Sequence, residues 1–325
     1  MPILFNPPSR RLFESTDCPA ECIIPTADRD AYPMNPKFRW VYNKLMVAEL
    51  QGIDCGPHWT QPDNAIFPIF SKPIFNLGSM GAEARAIATM DDYWCSVTPG
   101  HMWSALLVGE HYSTDIAVLA GKPVWFSHAR GTPGPQQTFD YWEVNVSVDP
   151  SVQAYIATFV KTHLAEYTGM LNMETIGGKI IEIHLRFSPQ WPDLYGSWFL
   201  PSIVDLYSGK RWTGPSNMEI YQTKKTRVGY SVVLFDEEKY ASVGATLPDS
   251  ALRQLETMFS VESITLWYNP KMPLETYPRP PGGFRVAWIN GFDLAQCELA
   301  REVLRNYLHL LFEKKDVSLD QAVCN

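Results

Sequence analysis

The chain has 325 residues, with 27 Lys and Arg against 35 Asp and Glu, a formal net charge of −8 and 46% hydrophobic residues. Such a length can bury a large core, and the composition is that of a folded globular chain rather than a disordered one. The acidic balance, without a block of basic residues, argues against a nucleic-acid backbone as the main partner and favours a small or peptide-sized substrate.

No apolar run approaches the roughly 20 residues of a membrane span, and Met1 to Arg11 carries prolines and arginines where a signal peptide needs an apolar core. The expected location is cytoplasmic, with no membrane partner. The six cysteines, Cys18, Cys22, Cys55, Cys95, Cys297 and Cys324, are scattered as reduced thiols are in a cytosolic chain. Cys18 and Cys22 are spaced wrongly for a zinc signature and have no nearby His.

The first forty residues, rich in Pro and charge, read as an irregular arm. Pro36 precedes a helical pattern from Phe38 to Leu50, in which Val41, Leu45, Val47 and Leu50 face inward with Lys44 among them. Phe67 to Lys72 reads as a buried strand that finishes in a lysine before Pro73. The loop Asn76 to Gly81, with Gly78, Ser79 and Gly81, can lay backbone N–H groups over phosphate oxygens, with Lys72 as a point charge; it also suits a plain hairpin turn. Ala82 to Asp92 fits a short helix, Trp103 to Val108 a strand, and Tyr112 to Leu119 a hairpin with Val124 to Ala129. Arg130 follows directly, and a solvated strand end is the simplest account of it alone.

Asp149-Pro150 opens a helix with Val152, Ile156, Phe159, Val160 and Leu164 inside, stopped by Gly169; His163 within it is a packing or surface residue. Gly177 and Gly178 then make a tight turn, after which Glu182, His184 and Arg186 project from one strand face at period two. Asn172 and Glu174 lie on the partner strand, so Glu174 can face Glu182, and two carboxylates side by side near neutral pH call for a divalent cation. The same alternation also describes an ordinary solvated hairpin face. Tyr230 to Phe235 and Phe284 to Ile289 read as strands, and Asp293 to Glu313 as an amphipathic helix with the stripe Leu294, Cys297, Leu304, Leu308 and Leu311.

A lysine on a helix, a strand ending in Lys-Pro before a Gly/Ser loop, a Gly-Glu-x-x-Ser-x-Asp hairpin, a helix, and a hairpin carrying Glu174, Glu182, His184 and Arg186 follow in that order. This order resembles the ATP-grasp superfamily of carboxylate-activating ligases over about residues 38 to 190. The resemblance implies an α+β fold, two α+β lobes holding ATP between antiparallel sheets, with an added C-terminal α/β lobe. Its expected divisions are an arm over 1–37, a catalytic core over 38–215 and a supporting lobe over 216–325.

Carried over, Lys44 and Lys72 look like the lysines that approach ATP phosphates, and the loop with Gly78, Ser79 and Gly81 like the flap over them. Glu174 and Glu182 look like the Mg²⁺ carboxylates (Mn²⁺ is also possible), with His184 where the family usually has Asn. Arg186 and Arg130 resemble arginines that face the transferred phosphate. His111 stands where a ribose-binding Glu normally lies, and Glu110 beside it is the other candidate. The implied activity is ATP-dependent joining of a carboxylate to an amine through an acylphosphate. The alternatives are a non-catalytic nucleotide-binding or regulatory protein and a kinase-like phosphotransferase. Trp191, Tyr195, Trp198 and Trp212 could line an acceptor pocket or pack a core.

Overall fold

The structure, a computed structural model, describes residues 3–4, 12–63, 65–75, 77, 81, 83–216, 227–272, 277, 280 and 282–314. The arm is not wholly irregular: β1 (Ile3–Leu4) pairs in parallel with β2 (Ile24–Pro25), and α1 (Asp28–Met34) follows. The expected helix from Phe38 to Leu50 is split into a 3-10 turn, Arg39–Tyr42, and α2 (Lys44–Leu50). Asn43 divides them because it is extended and caps α2, its side chain accepting from Met46 N at 3.0 Å. The break rotates the pattern, so Val41 and Val47 are buried while Leu50 is 39% exposed.

A small antiparallel sheet comes next, from β3 (Cys55–Pro57), β4 (Ile69–Pro73), β5 (Arg85–Ile87) and β6 (His101–Ala105), in the order β3-β6-β4-β5. The helix expected over Ala82 to Asp92 is instead β5 followed by α3 (Met90–Cys95), whose start is set by Thr89 capping Asp92 N.

The large antiparallel sheet contains β7 (His111–Leu119), β8 (Lys122–Pro133) and β9 (Phe139–Val146). Then come α4 (Pro150–His163) and the hairpin of β10 (Gly169–Ile176) and β11 (Lys179–His184). After α5 (Phe199–Gly209) the chain adds β12 (Gly229–Asp236), α6 (Glu238–Gly244), α7 (Asp249–Phe259), β13 (Ser263–Leu266), β14 (Phe284–Gly291) and α8 (Leu294–Lys314). The order β11-β10-β7-β8-β9-β12-β14-β13 makes one sheet of all eight strands, running across residue 215.

Alternation assigns the two faces. Ile116 and Val118 of β7, Leu171 and Met173 of β10 and Ile183 of β11 pack with Ile156, Phe159 and Val160 of α4, each buried aliphatic or aromatic side chain contributing roughly 2 kcal/mol. Val232, Leu234 and Ile289 meet α7 and α8 on the same side. The other side, with Ala117, Ala129, Val144, Met170 and Val233, is covered by Trp191, Tyr195 and Phe199. These aromatics pack the core: Trp191 and Tyr195 are 3% and 5% exposed, and the partly buried Trp198 and Trp212 pack on Trp125 with 5.7 Å between centroids. Helix α4 ends at His163, short of Gly169, which begins β10. His163 packs on Phe159, ring centroids 4.7 Å apart. None of the five described cysteines is in a disulfide.

Candidate functional site

The hairpin register brings Glu174 directly opposite Glu182, and Asn172 opposite His184. Glu174 also pairs with Ser113, and Asn172 with Asp115, so a polar stripe crosses three strands on one face. Gly177 and Gly178 close the turn with φ of 55° and 79°, values an L side chain adopts at a cost.

Two lysines reach this hairpin from other elements. Lys44, at the start of α2, lies with Nζ 3.1 Å from Glu182 Oε2 and its side chain is 7% exposed. Lys72, half-buried on β4, donates from Nζ to the Ile181 carbonyl at 3.0 Å. The two segments are joined where Lys44 N donates to the Ile74 carbonyl at 3.0 Å. Burial, then the charge of Lys44, lowers the Lys72 pKa to about 8 against the opposing pull of Glu182 and Glu174. Gln51 covers the exposed edge of β11, donating to the Ile180 carbonyl at 2.7 Å and accepting from Ile180 N at 2.8 Å.

Behind the hairpin sits Asp28, a residue that sequence reasoning did not single out. Its Oδ2 lies 3.0 Å from His184 Nδ1 and accepts from Arg186 Nη2 at 2.7 Å, while Oδ1 accepts from the Tyr42 hydroxyl at 3.0 Å. Burial would raise its pKa, but the Arg186 guanidinium and the His184 imidazole outweigh that and hold it well below the usual carboxylate range. His184 Nε2 points back towards Glu182 Oε1 at 3.7 Å. Arg186, 9% exposed, is thus a buried partner of Asp28. The arm around Asp28 has no periodicity that could have announced this; the signal was absent.

Glu174 Oε2 is 3.0 Å from His111 Nε2. Burial opposes ionisation of Glu174, yet the His111 hydrogen bond and charge dominate and bring its pKa down to about 2. His111 is packed against Phe139 and Trp142, with ring centroids 5.1 and 5.6 Å away. Asp115, 1% exposed, accepts from Asn172 at 2.8 Å, Ser188 N at 2.9 Å and the Tyr195 hydroxyl at 2.8 Å. Burial nevertheless raises its pKa to about 6. It was visible in the Gly-Glu-x-x-Ser-x-Asp string, but only its buried position shows it to be an organiser of the stripe.

Arg130 and Glu110 are not brought to the paired carboxylates. Arg130 pairs with Tyr112 and Glu143, one residue out of phase with Ser113 and Glu174, and so projects from the opposite face of the sheet. There its Nε donates to Glu143 at 2.7 Å and its Nη1 to Glu110 at 3.0 Å. Glu110 accepts from Tyr112 as well, leaving His111 alone of the two on the Glu174 face. Gly78 and Ser79 lie outside the described residues; Gly81 is described, with φ of 59°.

Among the described residues no three His, Cys, Asp or Glu side chains are gathered as a metal centre, so Glu174, Glu182 and His184 do not form a closed cage. Two facing carboxylates nevertheless suit Mg²⁺, which is commonly held by one or two carboxylates together with substrate phosphates. Asp28 Oδ2, 3.0 Å from His184 Nδ1, stands where a metal-binding imidazole commonly has its outer-shell carboxylate. No described helix is long and apolar enough to cross a membrane.

No family model matches the chain, and no curated protein matches it. Among solved structures it is similar to an L-amino acid ligase from Bacillus licheniformis, with 11% identity and a TM-score of 0.55 over 91% of this chain and 81% of that one. It is also similar to a carboxyaminoimidazole ribonucleotide synthase from Aspergillus clavatus complexed with ATP, at 11% identity and a TM-score of 0.56, covering 92% and 84%. The N5-carboxyaminoimidazole ribonucleotide synthetase of Thermus thermophilus gives 12% identity and a TM-score of 0.54, covering 95% and 84%. With its two antiparallel sheets and the shared architecture of these ligases, the chain has the ATP-grasp fold.

Proposed function

We propose that the chain is an ATP-dependent carbon–nitrogen ligase that activates a carboxylate as an acylphosphate and joins it to an amine. One observation carries the reading: Glu174 and Glu182 face each other in register while Lys44 and Lys72 converge on the same hairpin from two other elements. Paired carboxylates and paired lysines are what a magnesium nucleotide requires, since phosphoryl transfer depends on positioning and charge neutralisation more than on acid–base groups.

In the proposed reaction a carboxylate oxygen attacks the γ-phosphorus and ADP leaves. The amine then attacks the acyl carbon, and phosphate leaves in place of hydroxide, a far poorer leaving group. Glu174 and Glu182 would hold Mg²⁺, or Mn²⁺, which when bound neutralises charge on the β- and γ-phosphates. Lys44, now on Glu182, and Lys72, now on the Ile181 carbonyl, would supply positive charge to the nucleotide phosphates from α2 and from the small sheet. His184, fixed by Asp28, orients Glu182. Arg186 keeps its hold on Asp28 and adds positive charge behind the site. The substrates are small molecules or peptides, and the protein acts in the cytoplasm.

Incubation with ATP, Mg²⁺ and pools of carboxylates and amines, with hydroxylamine as a trap, tests this. Release of ADP with a trapped hydroxamate, lost in Glu182→Gln, is the expected result; ADP without hydroxamate indicates a kinase instead. A second reading, nucleotide binding without turnover, is favoured by the internal compensation of each carboxylate, Glu174 by His111 and Glu182 by Lys44. Magnesium-dependent ATP binding with no ADP formed from any pool would select it, and absence of nucleotide binding by folded protein would sink both.

A further inference from the structure

The charged groups behind the hairpin alternate: Lys44, Glu182, His184, Asp28, Arg186. Arg285, near enough for the charge of Arg186 to act on it, breaks the alternation. Among the described residues its side chain has no carboxylate partner and no hydrogen bond; the residue is half-buried, with Nε enclosed without an acceptor. It is fixed by stacking alone, its guanidinium carbon 4.3 Å from the Trp267 ring centroid and 5.3 Å from that of Trp288. Trp288, 0% exposed, likewise has its indole Nε1 enclosed with no acceptor among the described residues.

Local backbone geometry aims this arginine. Trp288 pairs with Val233, but the β12–β14 register then slips, so that Leu234 pairs with Ala287 and Phe235 with Arg285, skipping Val286. The slip is a β-bulge, and it places Arg285 on the same face as Trp288 and Val233 although it stands an odd number of positions from Trp288. That is the face of Glu174 and Glu182. Burial, then the nearby charge of Arg186, lowers the Arg285 pKa to about 10, the sign expected of a cation lacking an anion. A half-buried guanidinium fork without a counter-ion, held in place by two rings, matches carboxylate or phosphate bidentately.

We propose that Arg285, backed by Arg186, anchors an oxyanion, a carboxylate or phosphate group, on the substrate other than ATP. Calling that ligand a substrate rests on the ligase reading; the anion site itself does not.

Calorimetric titration of inorganic phosphate and, separately, succinate into the full chain tests it, with and without a saturating non-hydrolysable ATP analogue and Mg²⁺, which occupy the nucleotide's own phosphate positions. At least one anion should bind the wild type in both conditions, Arg285→Gln should bind it about tenfold more weakly or worse, and Arg285→Lys should fall between. The two anions distinguish a phosphate from a carboxylate ligand. Neither anion binding the wild type, or equal binding by wild type and Arg285→Gln, overturns the proposal. Without anion, Arg285→Gln should melt no lower than the wild type, because an uncompensated cation is removed; a lower melting temperature with unchanged anion affinity would assign the arginine to packing. Arginine-dependent anion binding together with no ADP release from any pool would leave the anion site standing and the ligase reading refuted.

Discussion

Asp28 holds three partners on two oxygens while 4% exposed, so its removal leaves the buried Arg186 guanidinium uncompensated rather than one contact missing. Breaking a buried pair by deleting one partner costs about 3–5 kcal/mol, and Asp28→Asn should lower the folding free energy by that order in urea denaturation. The sign with pH follows from the depressed native pKa. Asp28 contributes stability in full above its ordinary value of 3.8, and Glu174 above 4.5; Glu174's share is lost as pH falls towards about 2, and that of Asp28 lower still. Acid unfolding should therefore steepen below about pH 4.5, and Glu174→Gln should make it shallower; an unchanged profile would mean that the His111 pair contributes nothing. Asp115, pushed up to about 6, acts in the opposite sense, its charge costing stability as pH rises from 3.8 to 6. Lys72, at about 8 before any phosphate is bound, predicts ATP affinity that declines as pH rises through 8, and a Lys72→Arg protein whose affinity stays level there. Glu182 and Glu174 were legible because alternation at period two fixes their face, whereas Asp28 was not, since three non-local partners give it its role.

The hairpin turn shows how an element holds the carboxylates in register. A Cβ on Gly177 would lie 2.3 Å from the Val108 carbonyl oxygen, a backbone atom of the segment that joins the two sheets, whereas one on Gly178 meets nothing closer than Val152 Cγ2 at 3.5 Å. Both have positive φ, so Gly178→Ala should cost only the left-handed conformation, about 1 kcal/mol. Gly177→Ala should add an overpacking cost of about 1–3 kcal/mol and disturb the pairing of Glu174 with Glu182. Denaturation midpoints for the two variants should thus separate, and equal values would show that the segment yields. The double glycine, the β7–β8 hairpin and α4 with its Asp149 cap were readable because turn residues and caps act locally. Arg130 was misplaced because a face is decided by register across strands, and Arg285 went unnoticed because only a bulge in the pairing of distant strands turns it inward. The split between the 3-10 turn and α2 escaped for a similar reason: periodicity alone does not reveal where Asn43 leaves the helix.

The whole molecule sets a large sheet, packed on both faces, against a small one with little to hold it. The small sheet's core cluster is Ile69, Ile87, Tyr93 and Trp103, supplemented by polar links such as His58 to Ser71 at 3.1 Å, whereas the large sheet carries three extensive clusters. Among the polar ties from β4 to the hairpin is that from Lys72 to the Ile181 carbonyl. Stability is then unevenly distributed, and the small sheet should open locally before the rest. Overall order was legible in the sequence because strand patterns recur along the chain; this inequality was not, because it depends on how much apolar surface each sheet finds to bury. If ATP binds between Lys72 on one side and Glu174 and Glu182 on the other, its binding free energy must stabilise the small sheet most, since that sheet has the most local freedom to lose. Amide hydrogen exchange measured with and without ATP and Mg²⁺ should show strong slowing over Ile69–Pro73 and His101–Ala105 and little change in Val232 to Leu234. Uniform slowing would mean that the two sheets already open as one unit, and slowing confined to the large sheet would place the nucleotide away from Lys72.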